Sequence, residues 1–296
     1  MSRSPRHNKN EQLEFDDPSI EPDEEEWEDE DWDDDEYESE DDEYESSVPT
    51  ENYFTSSLAP IHILLFVLPL ILIWEVGVGM YLTDPSTGDV LLIRAWKWLQ
   101  RIFEAFGAVG QRIPAITLIT VLIAQLMISE KSRKPRPVVL GGMVVESALW
   151  AMPLLIVSTV ISALFGTPDR VPQAAQLVQA ATDHRSWQQL TVIAVGAGVY
   201  EEMLFRMALM PIIHIIVSDL FRVPKRSGTI IAVLVSAVVF ALYHDVSDNQ
   251  TIDIQQFFFL GLAGVWFGIA YIFRGFGIAV GCHVAYDLAI FLIGPQ

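Results

Sequence analysis

The chain reads as an all-α, polytopic membrane helix bundle with about 7–8 transmembrane helices, one interfacial amphipathic helix and a disordered acidic N-terminal tail. Three observations carry that reading. Hydrophobic side chains make up 51% of the 296 residues although the formal net charge is −21. The charge is local: residues 11–51 hold 24 of the 39 acidic side chains, which leaves residues 52–296 with 15 acids against 15 bases. That neutral part contains several apolar stretches of about 20 residues, the length that crosses a hydrocarbon layer of about 30 Å. An ordinary water-soluble enzyme is excluded. The single cysteine, Cys282, also excludes a disulfide framework within the chain.

The elements run in order. Residues 1–57 form the tail, in which carboxylates punctuated by Phe15, Trp27, Trp32, Tyr37 and Tyr44 repel one another too strongly for any core they could bury. With no apolar run before Leu58 the tail is neither a secretory signal nor an organelle transit sequence, and it reads as a solvated spacer or as a tether for a basic protein partner. Residues 58–136 hold the first membrane helices. Candidate spans are 58–80, 113–129, 137–164, 187 to about 217, 227–243, 254–273 and 275–292. The fourth is long enough to kink near Pro211 or to break into a second short helix. Between the first two, Leu92, Trp96, Leu99, Phe103 and Phe106 recur at helical spacing while Arg94, Lys97, Arg101 and Glu104 hold another face, so 90–106 reads as the interfacial helix.

Basic connections orient the bundle. Lys131, Arg133, Lys134 and Arg136 come after the second span, and Arg222, Lys225 and Arg226 after the fourth, so both loops are expected in the cytoplasm. Counting back places the acidic N-terminus there too, in a multi-pass protein of the cell membrane if the source is prokaryotic. The basic residues of the amphipathic helix then fall on the far side, against the rule.

An ionisable side chain inside a span costs at least about 2.5 kcal/mol at the helix centre, so each one needs a partner or a purpose. Within or beside the apolar stretches lie Glu75, Glu146, Glu201, Glu202, Arg206, His214, His244, His283 and Asp287. In EEMLFR at 201–206, Glu202 and Arg206 stand one helical turn apart and can pair. Glu201, about 100° around the helix, is left without that arginine. An unpaired carboxylate beside a paired one keeps a base available. In FALYH at 240–244, Phe240 lies one turn from His244 and limits its rotamers. In HVAYD at 283–287, Asp287 can accept an imidazole N–H from His283 and fix its tautomer, or the pair is a polar bridge between helices. Glu146 is a further polar partner for the same cavity or a hydrogen bond to a neighbouring helix. Cys282 adjoins His283 but points about 100° away from it on a helix, which argues against a thiol nucleophile.

One unpaired glutamate, two histidines and an aspartate on three helices match what amide hydrolysis by water requires: a base, a second group to position the water, and donors for the oxyanion. The same four residues, Glu201, His244, His283 and Asp287, also form a legal donor set for a divalent metal such as zinc. HExxH is absent.

These three segments, in this order on successive hydrophobic helices, resemble the EExxxR, FxxxH and HxxxN/D motifs of the CPBP family, which comprises type II CAAX prenyl endopeptidases, bacteriocin-processing and immunity (Abi) proteins and their relatives. The resemblance covers residues 137–296. It implies intramembrane proteolysis of membrane-associated or lipid-modified peptides and proteins, with Glu201 and His244 activating water, His283 and Asp287 stabilising the oxyanion, and Glu202, Arg206 and Phe240 in support. Prenyl endopeptidases of the family carry asparagine where Asp287 stands; Asp287 then orients His283, binds a metal, or stays protonated and donates. The family is described both as metalloproteases and as metal-free glutamate enzymes. Two other classes compete: a catalytically silent immunity or scaffold protein, and an ion-coupled transporter, for which the inverted repeats are missing. Membrane lipid and a peptide substrate are the expected partners; nucleic acid is not.

Overall fold

The computed structural model describes residues 52–84, 86, 90, 93–107, 110–131, 134–165, 186–244, 247–248, 251–252 and 254–293. The acidic segment 1–51, Leu92 and Arg133 lie outside the described residues, and with them the readings of the tail as spacer or tether.

The described chain is helical apart from a two-residue antiparallel ribbon, β1 (Ser247–Asp248) with β2 (Thr251–Ile252). Helix α1 (Tyr53–Ser57) starts at Asn52, whose side chain accepts from Thr55 N at 2.9 Å. Composition assigns the chain up to residue 57 to the tail, but these five residues are helical. The reason is an anchor that composition could not show: Tyr53 Oη donates to Glu146 Oε2 at 2.6 Å, and Arg274 reaches Ser57 Oγ at 2.8 Å.

The apolar stretches become helices long enough to span: α2 (Pro60–Leu82), α5 (Pro137–Phe165), α6 (Trp187–Leu220), α7 (Lys225–Tyr243) and the helical run Ile254–Ile293. Helix α4 (Ile113–Ile128) is apolar but has only 16 residues. The expected boundary inside the last run is correct. Gly275 adopts φ 76°, a left-handed conformation that other residues avoid, and splits the run into α8 (254–274) and α9 (276–293). Five helices in the described residues are long and apolar enough to cross a membrane, with α8 and α9 counted as one run.

Two expectations change in detail. The long fourth span does not break at Pro211. Proline has no N–H for the carbonyl one turn back, and α6 absorbs this by widening into a π-helical turn over Met203–Leu209, with a second over Ile215–Leu220. The amphipathic helix α3 (Arg94–Ala105) is docked on α4 and α6, with Ala95, Trp96 and Leu99 buried. Phe106, expected on the apolar face, falls just beyond the helix end and is 86% exposed.

Helices α8 and α9 pack against α5, α6 and α7 and form the centre of the bundle. The outward faces of α5 and α7 carry exposed Val144, Val145, Leu149, Ile156, Leu234 and Val238, the composition of a lipid-facing surface.

Candidate active site

Small residues in α6 let the helices that carry the motifs approach each other. A Cβ at Gly198 would lie 3.0 Å from Val284 N and 3.2 Å from Val280 O, so α6 and α9 touch almost backbone to backbone there. One turn further along α6 comes Glu202, and His283 adjoins Val284. Gly198→Ala is therefore expected to push α9 away from α6 and to lower thermal stability in detergent, which melting of the one variant checks.

The contact brings His283 Nδ1 to 2.8 Å from Glu202 Oε1. Arg206 Nη1 approaches the same oxygen at 3.1 Å, and both partners are fully buried. This ion pair is the i,i+4 pair that the spacing predicts. Its geometry falls short of a hydrogen bond, and Arg206 is held as much by other groups. Nη2 donates to Gly264 O at 2.9 Å, and the guanidinium lies 4.6 Å from the Phe240 ring centre and 5.3 Å from that of Phe267. Phe267 also stacks on His283, with ring centres 4.5 Å apart and an interplanar angle of 11°.

Glu201 faces the other way, towards the end of α7. Its Oε1 accepts from Tyr243 Oη at 3.4 Å, while Oε2 is buried without a hydrogen-bond partner. Oε2 lies 3.6 Å from His244 Nε2 and 3.9 Å from His283 Nε2, and His283 Nε2 lies 3.7 Å from Asp287 Oδ2. These gaps are too wide for direct hydrogen bonds. The His244 ring is fixed from behind: Nδ1 lies 2.8 Å from Phe240 O, and the Phe240 ring packs against the imidazole with centres 4.6 Å apart. A donating Nδ1 leaves Nε2 as the acceptor that looks at Glu201. His244 lies one residue beyond the span. Burial pushes its imidazole down to about 4, so at neutral pH it is uncharged.

The structure therefore brings Glu201, Glu202, Arg206, Phe240, His244, His283 and Asp287 into one cluster. Two partnerships are invisible in the sequence. Tyr243 binds Glu201, and the nearer carboxylate to His283 is Glu202, where helical spacing points to Asp287. Glu146 belongs elsewhere: it pairs with Arg274, accepts from Tyr53 Oη, and takes Trp150 Nε1 at 3.2 Å. Sequence reasoning misses Arg274, because one arginine at the edge of an apolar run looks like a helix terminus. Glu75 is half-buried, 3.3 Å from Tyr200 Oη and 4.0 Å from Arg112. Cys282 is buried and its thiol is free.

Residues 183–289 match the family model described as type II CAAX prenyl endopeptidase Rce1-like. The similarity is confined to that segment, which agrees with the resemblance carried by the three motifs. No curated protein and no solved structure matches the chain. The matched segment contains all seven clustered residues and runs from just before α6 to near the end of α9. The match supports a membrane peptidase of the CAAX type. Helices α1 to α5 lie outside the matched residues.

Zinc, which the resemblance allows, needs about three protein donors converging on one point with an open position. Among the described residues, no group of three or more His, Cys, Asp or Glu side chains is arranged to hold a metal ion. The hydrolytic steps proposed below use side chains alone.

Proposed function

We propose that this protein is an intramembrane endopeptidase that hydrolyses peptide bonds in membrane-associated or lipid-modified proteins. The observation that supports it best is the orphaned Glu201 Oε2, buried and 3.6 and 3.9 Å from two imidazole nitrogens. A buried acceptor without a partner costs about 1–3 kcal/mol, and a water there would remove that cost.

A water bound to Glu201 Oε2 and His244 Nε2 gives one hydrogen to each and keeps its lone pairs for the substrate carbonyl. As its oxygen bonds to the carbonyl carbon, a proton passes to Glu201. The carbonyl π electrons move onto oxygen, and His283, protonated at Nε2, donates to that oxyanion. Collapse breaks the C–N bond while Glu201 returns its proton to the leaving amine. Glu202 takes the other imidazole N–H and fixes the ring, with Asp287 beside Nε2. In this reading the N-terminus lies in the cytoplasm, as the basic loops suggest.

The test is cleavage of a quenched peptide library, with and without a lipidated cysteine, by detergent-purified protein. Wild type is expected to cut at least one peptide, and His244→Ala to lower its kcat by about 10²-fold or more. Cleavage that His244→Ala leaves unchanged would remove the proposed site, and no cleavage by wild type would remove the reading.

A further inference from the structure

Tyr243 has no part in the hydrolytic scheme, yet among the described residues its hydroxyl supplies the only hydrogen bond that Glu201 receives. The bond goes to Oε1. The other oxygen is the orphan that faces His244 and His283. A carboxylate carries two equivalent oxygens and can turn about the bond that joins it to its stem. Holding one of them decides which oxygen, and which lone pairs, meet the water. At 3.4 Å the contact is slack, as catalytic hydrogen bonds often are before substrate closes a site.

The tyrosine is itself clamped. Its ring is edge-on to Phe205, with centres 5.2 Å apart, and to Trp98, with centres 6.0 Å apart. The Arg94 guanidinium donates to Tyr243 O and lies 5.7 Å from the ring centre. Trp98 and Arg94 both come from α3, whose buried face of Ala95, Trp96 and Leu99 fixes it on α4 and α6. An amphipathic helix that looks like a float at the membrane surface thus presses on the residue that holds the candidate base.

We propose that Tyr243 is a positioning residue for Glu201, its hydroxyl holding Oε1 so that Oε2 alone meets the attacking water, and that α3 supports it from outside the segment that matches the Rce1-like family model. The inference rests on the hydrolase reading and adds to it a residue and a helix.

The experiment uses the full chain in detergent and a peptide that wild type cuts. Tyr243→Phe removes one oxygen and keeps the ring that packs on Phe205 and Trp98. It is expected to lower kcat by about tenfold or more, the worth of a hydrogen bond to a charged group, with KM and Tm unchanged. A purely structural tyrosine would move Tm and KM and spare kcat. Trp98→Leu, on the partly exposed face of α3, is expected to lower kcat about threefold in the wild-type background and not at all in Tyr243→Phe, because it acts through the hydroxyl. If Tyr243→Phe does not fold, the Trp98→Leu loss in kcat at constant KM carries the test. A Tyr243→Phe enzyme with wild-type kcat overturns the proposal while His244→Ala still reports on the hydrolase reading; equal Trp98→Leu losses in both backgrounds overturn the part played by α3. Absence of any cleavage by wild type removes both.

Discussion

Glu201→Gln will leave the protein folded and lower peptide cleavage by about 10²- to 10⁴-fold. Glutamine has the shape of the side chain that it replaces, and its amide oxygen still accepts the Tyr243 hydroxyl, so packing around the site is preserved. What disappears is the group that, in the proposed mechanism, takes a proton from water. Kinetics report this as a loss in kcat and kcat/KM alike, since the removed interaction belongs to the transition state. Glu201 is buried and 3.6 Å from His244 Nε2, so no bulk-water base can stand in for it. Unchanged turnover in the glutamine variant, with Tm also unchanged, would refute the role given to Glu201. A fall in Tm as large as that expected for Arg206→Met would point to a structural carboxylate.

The contrast between what the sequence shows and what it hides comes from helical geometry. A period of 3.6 residues determines which side chains share a face of one helix. Glu202 with Arg206 at 3.1 Å, Phe240 packed on His244, and His283 with Asp287 at 3.7 Å are all i,i+4 neighbours and all legible. The spacing also isolates Glu201 from the arginine, and the orphaned Oε2 is the structural form of that isolation. Nothing in a single sequence sets the distance between helices. His283 to Glu202, Tyr243 to Glu201 and Arg274 to Glu146 join residues 81, 42 and 128 positions apart. Each depends on how closely two helices pack, and that depends on residues without obvious chemistry, such as Gly198 against Val284 and Gly264 against Ala237.

The fold shows the same division. Apolar length locates the spanning helices, and Gly275, read as a boundary, is one because its φ is 76°. At Pro211 a wider turn accommodates the missing N–H without a break. Composition is misleading at residues 53–57. There the physical reason for order lies in Glu146 and Arg274, distant in the chain.

Arg206→Met is the prediction with the largest expected effect on stability. The side chain is fully buried, and methionine removes its charge while leaving Glu202 in a low-dielectric interior with only His283 nearby. Breaking one half of a buried pair typically costs about 3–5 kcal/mol where the surviving charge is left uncompensated, a cost that the His283 imidazole beside Glu202 offsets only in part. The variant is therefore expected to unfold at a clearly lower temperature in detergent and to lose activity with the site. Removing both charges separates the two jobs that Glu202 holds. In Glu202→Gln/Arg206→Met no charge of the pair is stranded, so most of the lost stability should return, as is common when a buried pair is replaced by neutral groups of similar volume. Activity should not return with it: Glu202 also receives the His283 imidazole at 2.8 Å, and glutamine is a weaker acceptor than a carboxylate for that N–H. A double variant that regained stability and full turnover together would mean that Glu202 serves Arg206 alone and that His283 is oriented from elsewhere, with Asp287, 3.7 Å from the other ring nitrogen, as the group to examine.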